Sequence, residues 1–178
     1  MTGKAALAPF NPAEPAHRAA RQRAKKLCLQ LNTFRVDQRK AREPIYRELF
    51  GQVATAFIEP DFFCDYGYNI FLGDNFFANH HCVMLDAAPI TIGANVLLGP
   101  AVHLYSTTHP LDAAERASGL QWCAPITIGD DVWIGGHSIV MPGVTIGRGA
   151  VIGAGSVVTQ SIPAGAVAHG NPCRVQRS

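Results

Sequence analysis

Seven histidines, thirteen acidic side chains and five cysteines are the groups in this 178-residue chain that could carry acid–base, nucleophilic or metal chemistry. His109 stands out by its setting. It lies in the stretch STTHPLDAAERASGL (106–120), directly ahead of Pro110. A neutral imidazole takes up a proton near pH 7, so a histidine here can act as general base toward a hydroxyl group. Pro110 restricts the backbone of His109 to extended conformations and helps to aim its ring. By position alone, the simpler reading is a polar loop residue. Three further histidines, His80, His81 and His103, raise zinc as an alternative chemistry. His17, His137 and His169 read as solvent-facing or bonded to backbone. The cysteines (Cys28, Cys64, Cys82, Cys123 and Cys173) are odd in number and form no C-x-x-C pair, so neither a disulfide framework nor a zinc knuckle is indicated. That usage suits a reducing compartment.

The elements that must hold His109 are legible as a repeat. Aliphatic residues fall every six positions at Ile128, Ile134, Val140, Ile146, Ile152 and Val158, and the same spacing holds upstream at Ile92, Leu98 and Leu104. A looser set, Tyr66, Leu72, Ala78 and Met84, is offset by two residues around Pro89 and Ile90. A six-residue unit suits a short strand and a tight corner, with glycine absorbing unusual backbone angles. Three such sides close a triangular coil, and stacked coils make a parallel β-helix with the aliphatic residues on its axis. Thirteen hexads predict four to five coils. The repeat stops between Leu104 and Ile128, and His109 sits at the start of that gap.

Ahead of the repeat, EPAHRAARQRAKKLCLQLNTF places Ala20, Ala24, Leu27, Leu31 and Phe34 on one helical face, with Pro15 in the first turn. A second short helix is expected to begin at Pro44 and to end near Gly51. The basic residues of the first helix read as a solvated face. The organisation predicted is a helical appendage over 1–58, a β-helix over 59–165 with an excursion loop at 105–127, and a tail over 166–178. The formal charge of +2 argues against nucleic acid or an anionic membrane as partner and favours small molecules. The N-terminus lacks the apolar run of a signal peptide and no stretch approaches membrane-spanning length, so the expected location is cytoplasmic.

Four stretches carry a more specific resemblance: RQRAKKLCLQLN, CDYGYNIFLGDNFFANHHCVMLD (64–86), STTHPLDAAERASGL and GNPCRV. Together they resemble the maltose, galactoside and nodulation O-acetyltransferases of the hexapeptide-repeat acyltransferases. This resemblance implies a left-handed hand for the β-helix, a homotrimer, and a loop that closes over a cleft between neighbouring subunits. The activity implied is acetyl-CoA-dependent O-acetyl transfer to a sugar or related small hydroxyl acceptor, by direct transfer, with no metal.

Residue by residue, the resemblance makes His109 the base, joined by Asn79, and Gly136 the backbone donor to the oxyanion; taken alone, Gly136 is a corner glycine. It places Trp133, Gly136 and Ala154 along the pantetheine arm, and Thr159, Gln160, Arg174 and Arg177 near the nucleotide phosphates, Gln160 standing where galactoside-type relatives carry lysine. For the acceptor it points to Arg21, Asp65, Asn79 and Asp86. A base is commonly oriented by a second group; Gln121, Asp86 and a backbone carbonyl are the candidates, Gln121 standing where many relatives carry glutamate. Two other classes stay open: a zinc enzyme like the γ-carbonic anhydrases, although His103 and His109 lack that family's tighter histidine pairing, and a β-helix scaffold without activity. Zinc analysis separates the first, and the joint presence of His109, Asn79 and Asp65 speaks against the second.

Overall fold

A computed structural model describes residues 5–34 and 38–177. The outermost residues of the expected appendage and tail, and the junction at 35–37, lie outside the described residues.

Helix α1 (Pro15–Thr33) has Pro15 in its first turn and buries Ala24, Leu27 and Leu31 of the expected face together with Cys28, while Ala20 is half-buried and Phe34 follows the helix as its C-cap. Helix α2 runs Arg39–Leu49 and contains Pro44, so it begins five residues before the expected start. Tertiary anchoring extends it. The buried Arg42 donates from Nη1 to the carbonyl of Ile58 (2.8 Å) and from Nη2 to that of Phe34 (3.2 Å). These bonds, with burial of Tyr46 and Leu49, outweigh the one helical hydrogen bond that a proline removes.

From Gln52 the chain winds into the expected parallel β-helix. Its first face stacks Gln52–Val53, Ile70–Leu72, Ile90–Ile92, Ile126–Ile128 and Thr145–Ile146. The second stacks Ala56–Ile58, Phe76–Ala78, Leu97–Leu98, Trp133–Ile134, Val151–Ile152 and Val167–His169, with Arg174–Arg177 added antiparallel at its end. The third stacks Phe63–Cys64, Val83–Leu85, His103–Tyr105, Ile139–Val140 and Val157–Val158. About six turns result, more than the four to five expected. The first coil starts at Gln52, ahead of position 59, and lacks glycine-punctuated hexads; the last reaches His169, beyond position 165.

The register accounts for the irregularities in the repeat. Leu72, Ala78 and Met84 stack on Ile92, Leu98 and Leu104, twenty positions on, so two extra residues are absorbed near Asp86–Ala88. Later coils step by eighteen, as in Ile128 on Ile146 and Ile134 on Ile152. Between Ile92 and Ile128 the step is thirty-six, one coil plus an insert of equal length. The insert leaves at Ser106 and returns at Ala124, whose N–H donates to the carbonyl of Ser106 (2.9 Å). Corners need left-handed backbone. His81, Ala101 and His137 take it at one edge (φ 64°, 52° and 59°), Asn75, Asn95 and Asp131 at another (φ 54°, 57° and 59°). At the second edge the side chains form a ladder: Asn75 Nδ2 donates to Asn95 Oδ1 (3.1 Å), and Asn95 Nδ2 to Asp131 Oδ1 (2.9 Å).

The outer surfaces of the three faces differ. The first face carries Gln52, Phe71, Thr91, Thr127 and Thr145, whereas the second carries Phe77, Leu97, Trp133 and Val151 and the third Phe63, Val83, His103, Ile139 and Val157. Leu97 and Trp133 are 48% and 53% exposed. Two apolar faces on one prism call for a cover.

Candidate active site

The insert is a built structure. Thr107–Thr108 pairs antiparallel with Gln121–Cys123, and that strand pairs on its other side with the N-terminal strand Ala8–Phe10. Between them runs the short helix α3 (Ala113–Ala117), capped by Asp112, which accepts from the N–H of Glu115 (2.8 Å). Arg116 reaches back to donate to the carbonyls of Pro110 (2.9 Å) and Leu111 (3.0 Å). Pro110 is buried, and His109 beside it is exposed. Among the described residues no hydrogen bond to the His109 ring is found. Gln121 Oε1 accepts instead from the Thr107 hydroxyl (3.1 Å), and Asp86 Oδ1 from the N–H of Tyr66 (2.8 Å). Neither holds the ring within one chain.

The residues named from the sequence fall into two groups at two edges of the prism. At the edge between the third and first faces lie Asp65, Asp86, His109, Thr159 and Gln160, with Arg21 of α1 packed beside them. Arg21 Nη1 donates to the Tyr66 hydroxyl (2.8 Å) and to the carbonyl of Pro12 (2.9 Å), tying α1 and the N-terminal segment to the coil. Phe10 and His17 close around Tyr66, with ring centroids 5.8 and 5.9 Å away. Tyr66 is a residue the sequence reading passed over; its place in the hexad spacing marked it only as core. Burial raises the Asp65 carboxyl above its ordinary value, partly offset by the Arg21 and Lys25 charges. Asp86 is fully buried, and burial pushes its pKa up to about 6 against the bonds it accepts. Its Oδ2 has no protein partner among the described residues.

At the edge between the second and third faces lie Asn79, Gly136 and Ala154, with Trp133 on the adjoining face, in a groove of about 490 Å³ walled by Phe77, Leu97 and Val151. Asn79 Oδ1 accepts from the N–H of His80 (2.8 Å), which leaves its Nδ2 to point elsewhere. The N–H of Gly136 finds no backbone acceptor among the described residues, whereas Gly135 and His137 on either side donate to Ile152 (2.7 Å) and Pro100 (2.8 Å). A Cβ on Gly136 would come within 2.9 Å of the Pro100 carbonyl oxygen. Arg174 pairs in register with His169 at this edge, one coil beyond Ala154; Arg177 pairs with Val167 at the far side of the second face. The two arginines are therefore not neighbours. His80 and His81 also sit at this edge. His80 Nδ1 lies 2.7 Å from the Pro60 carbonyl, and His81 Nδ1 3.4 Å from the Asp61 carboxylate.

The whole third face separates the two groups, on the order of 15 Å along the strand direction. Among the described residues no group of three histidine, cysteine, aspartate or glutamate side chains is close enough to hold a metal ion. No helix of the described residues is long and apolar enough to cross a membrane.

Known proteins share this sequence pattern and fold. Residues 125–160 match the family described as bacterial transferase hexapeptide (six repeats), and residues 8–54 match the maltose acetyltransferase hexapeptide capping motif. Galactoside O-acetyltransferase of Escherichia coli K12 is 45% identical over 158 residues, covering 88% of this chain and 78% of its own. The crystal structure of a maltose O-acetyltransferase from Clostridium difficile superposes with a TM-score of 0.93 at 47% identity, over 96% of this chain and 91% of the other. A hexapeptide-repeat acetyltransferase of Vibrio cholerae complexed with acetyl-CoA superposes at 0.89 with 41% identity, over 95% and 92%. A single prism with a capping helix pair and a loop rising from its second half is the form of an acetyl-CoA-dependent acetyltransferase. The chain belongs to the hexapeptide-repeat acetyltransferases of the galactoside and maltose type.

Proposed function

We propose that the protein transfers the acetyl group of acetyl-CoA directly to a hydroxyl of a saccharide or related small acceptor, at a cleft shared by two neighbouring copies in a homotrimer. The observation that carries this reading is the division of the site: the base and the acceptor residues Arg21, Asp65 and Asp86 sit at one edge of the prism, and Asn79 with the cofactor groove and its free N–H at another. A cyclic trimer sets one edge of each copy against the other edge of the next and covers two apolar faces at once. The galactoside and maltose acetyltransferases among its relatives support a saccharide as acceptor.

In this cleft His109 takes the hydroxyl proton as the acceptor oxygen attacks the thioester carbonyl carbon. The N–H of Gly136 from the neighbouring copy donates to the oxyanion, and the Nδ2 of Asn79 is free to donate beside it. His109 then returns the proton to the departing sulfur, leaving an acetyl ester and free coenzyme A. All five cysteines are buried, which supports direct transfer over an acyl-cysteine. Trp133 and Ala154 line the pantetheine arm, Arg174 lies where the groove ends, and Thr159 and Gln160 contribute from the other edge. Arg21, Asp65 and Asp86 receive the acceptor.

Subunit complementation tests this. His109→Ala and Asn79→Ala should each lower kcat by roughly 10²- to 10⁴-fold. Co-assembled at equal amounts, they should recover about one quarter of wild-type activity, because one neighbouring pair in four joins two intact halves. Recovery of nothing from mixed trimers would place both residues in one chain's site and sink the shared cleft.

A further inference from the structure

Three rungs dock α1 along the stretch of coil that leads into the acceptor residues. Asn32 exchanges two hydrogen bonds with the backbone of Phe62, its Nδ2 donating to the carbonyl (3.0 Å) and its Oδ1 accepting from the N–H (2.9 Å). At the other end Arg21 donates to the Tyr66 hydroxyl (2.8 Å). Between them the thiols of Cys28 and Cys64 meet, Sγ to Sγ 3.7 Å apart, Cys28 inaccessible to solvent and Cys64 6% exposed. Among the described residues no other two cysteines are in contact; the Cys82 thiol, for example, donates to the Gly99 carbonyl (3.4 Å). The reaction as written uses neither thiol of the pair. We infer that Cys28 and Cys64 form an oxidation site, at which a hydroperoxide converts the two thiols to a reversible disulfide that weakens acceptor binding.

The effect on the acceptor rests on the reading that Arg21 and Asp65 receive it. The Cys64 thiol donates to Cys28, which favours the Cys28 thiolate against the cost of burial and keeps the proton on Cys64. Burial shuts out bulky reagents, whereas a small hydroperoxide enters when α1 opens locally. The Cys28 thiolate attacks a peroxide oxygen, the O–O bond breaks, and the departing oxygen takes up a proton, leaving a sulfenic acid on Cys28. The Cys64 sulfur then attacks that sulfur; the S–S bond forms, the S–O bond breaks, and the Cys64 proton leaves with the hydroxide as water. With hydrogen peroxide, the sum is one peroxide and two thiols giving one disulfide and two waters. Bonding brings the sulfurs from 3.7 Å to about 2.05 Å and so draws the middle of α1 inward by up to about 1.7 Å. Asn32 holds one end, so the swing is larger at Arg21, eleven positions from Asn32, than at Cys28, four positions away. Tyr66 is buried behind Phe10 and His17 and cannot yield, so Arg21 and the neighbouring Asp65 are displaced from each other.

The test treats the intact protein with hydrogen peroxide, alkylates it under denaturing conditions and maps the peptides by mass spectrometry. A single linked pair joining Cys28 to Cys64 is expected, with Cys82, Cys123 and Cys173 alkylated. With maltose as acceptor, the oxidised protein should show a KM for maltose raised several-fold and an unchanged KM for acetyl-CoA, and dithiothreitol should restore the starting values. Cys28→Ala should keep one KM for maltose before and after peroxide. A folded protein in which no Cys28–Cys64 link forms, or in which oxidation spreads evenly over the five cysteines, overturns the inference. So does a linked protein whose KM for maltose is unaltered. Absence of acetyl transfer to maltose by the reduced protein counts against the proposed acceptor and not against the oxidation site, which the linked peptide and a higher Tm without reductant establish by themselves, since the bond closes a long loop in the unfolded chain.

Discussion

Asp86→Asn isolates the cost of the buried carboxylate behind the acceptor residues. Asp86 is inaccessible to solvent, accepts one bond from the Tyr66 N–H, and has a pKa of about 6 against an ordinary 3.8. Because the folded value is raised, the unfolded chain gives up the proton first as pH rises. The folded state then holds more protons, and stability falls with pH between the two values. Below about pH 3.8 the group costs nothing. Above about 6 the full shift applies, about 3 kcal/mol at 1.36 kcal/mol per unit. Roughly 2 kcal/mol of this falls between pH 4.5 and 7.5. An asparagine does not titrate. It introduces other changes, such as a buried amide N–H₂ in place of Oδ2, but these do not vary with pH. The unfolding free energy of Asp86→Asn relative to wild type should therefore rise by about 2 kcal/mol from pH 4.5 to 7.5, whatever its sign at either end. Urea unfolding at fixed protomer concentration measures it, since an oligomer's stability depends on concentration. A difference that stays flat across this range would refute the attribution of the shift to burial.

Arg174→Ala should raise KM for acetyl-CoA several-fold with kcat little altered, as expected for a contact equal in ground and transition states, and added salt should weaken the wild type toward the variant. Gly136→Ala must push its Cβ against the Pro100 carbonyl, 2.9 Å away, so it should cost about 1–3 kcal/mol of stability by overpacking and lower kcat more than KM, read by denaturation and steady-state kinetics. Sedimentation should give about 57 kDa, three chains of 19.1 kDa, and an active monomer would exclude the shared cleft.

The spacing of aliphatic residues decided most of the architecture. A side chain every sixth position can point inward only if the chain turns a corner between strands, so Ile128 to Val158 are read correctly from order alone. The break after Leu104 marked the loop for the same reason, and Pro15 and the steps of three and four marked α1. The alternation of outer surfaces was also present, as Thr91, Thr127 and Thr145 recurring every eighteen or thirty-six positions, but it is legible only once three faces are known to make a coil. What the order of residues left open depends on groups distant in sequence. The start of α2 rests on Arg42 reaching the carbonyl of Ile58, a bond that overrides the local preference set by Pro44. Arg21 meets Tyr66 across forty-five positions, and Leu7 and Met141 line one cavity beside His109. The pKa of Asp86 follows from burial, which no neighbour in sequence supplies. Likewise His109 and Asn79, thirty positions apart in the chain, are set at different edges of the prism because corner positions repeat with the coil, and a coil of eighteen to twenty residues fixes which edge each one reaches.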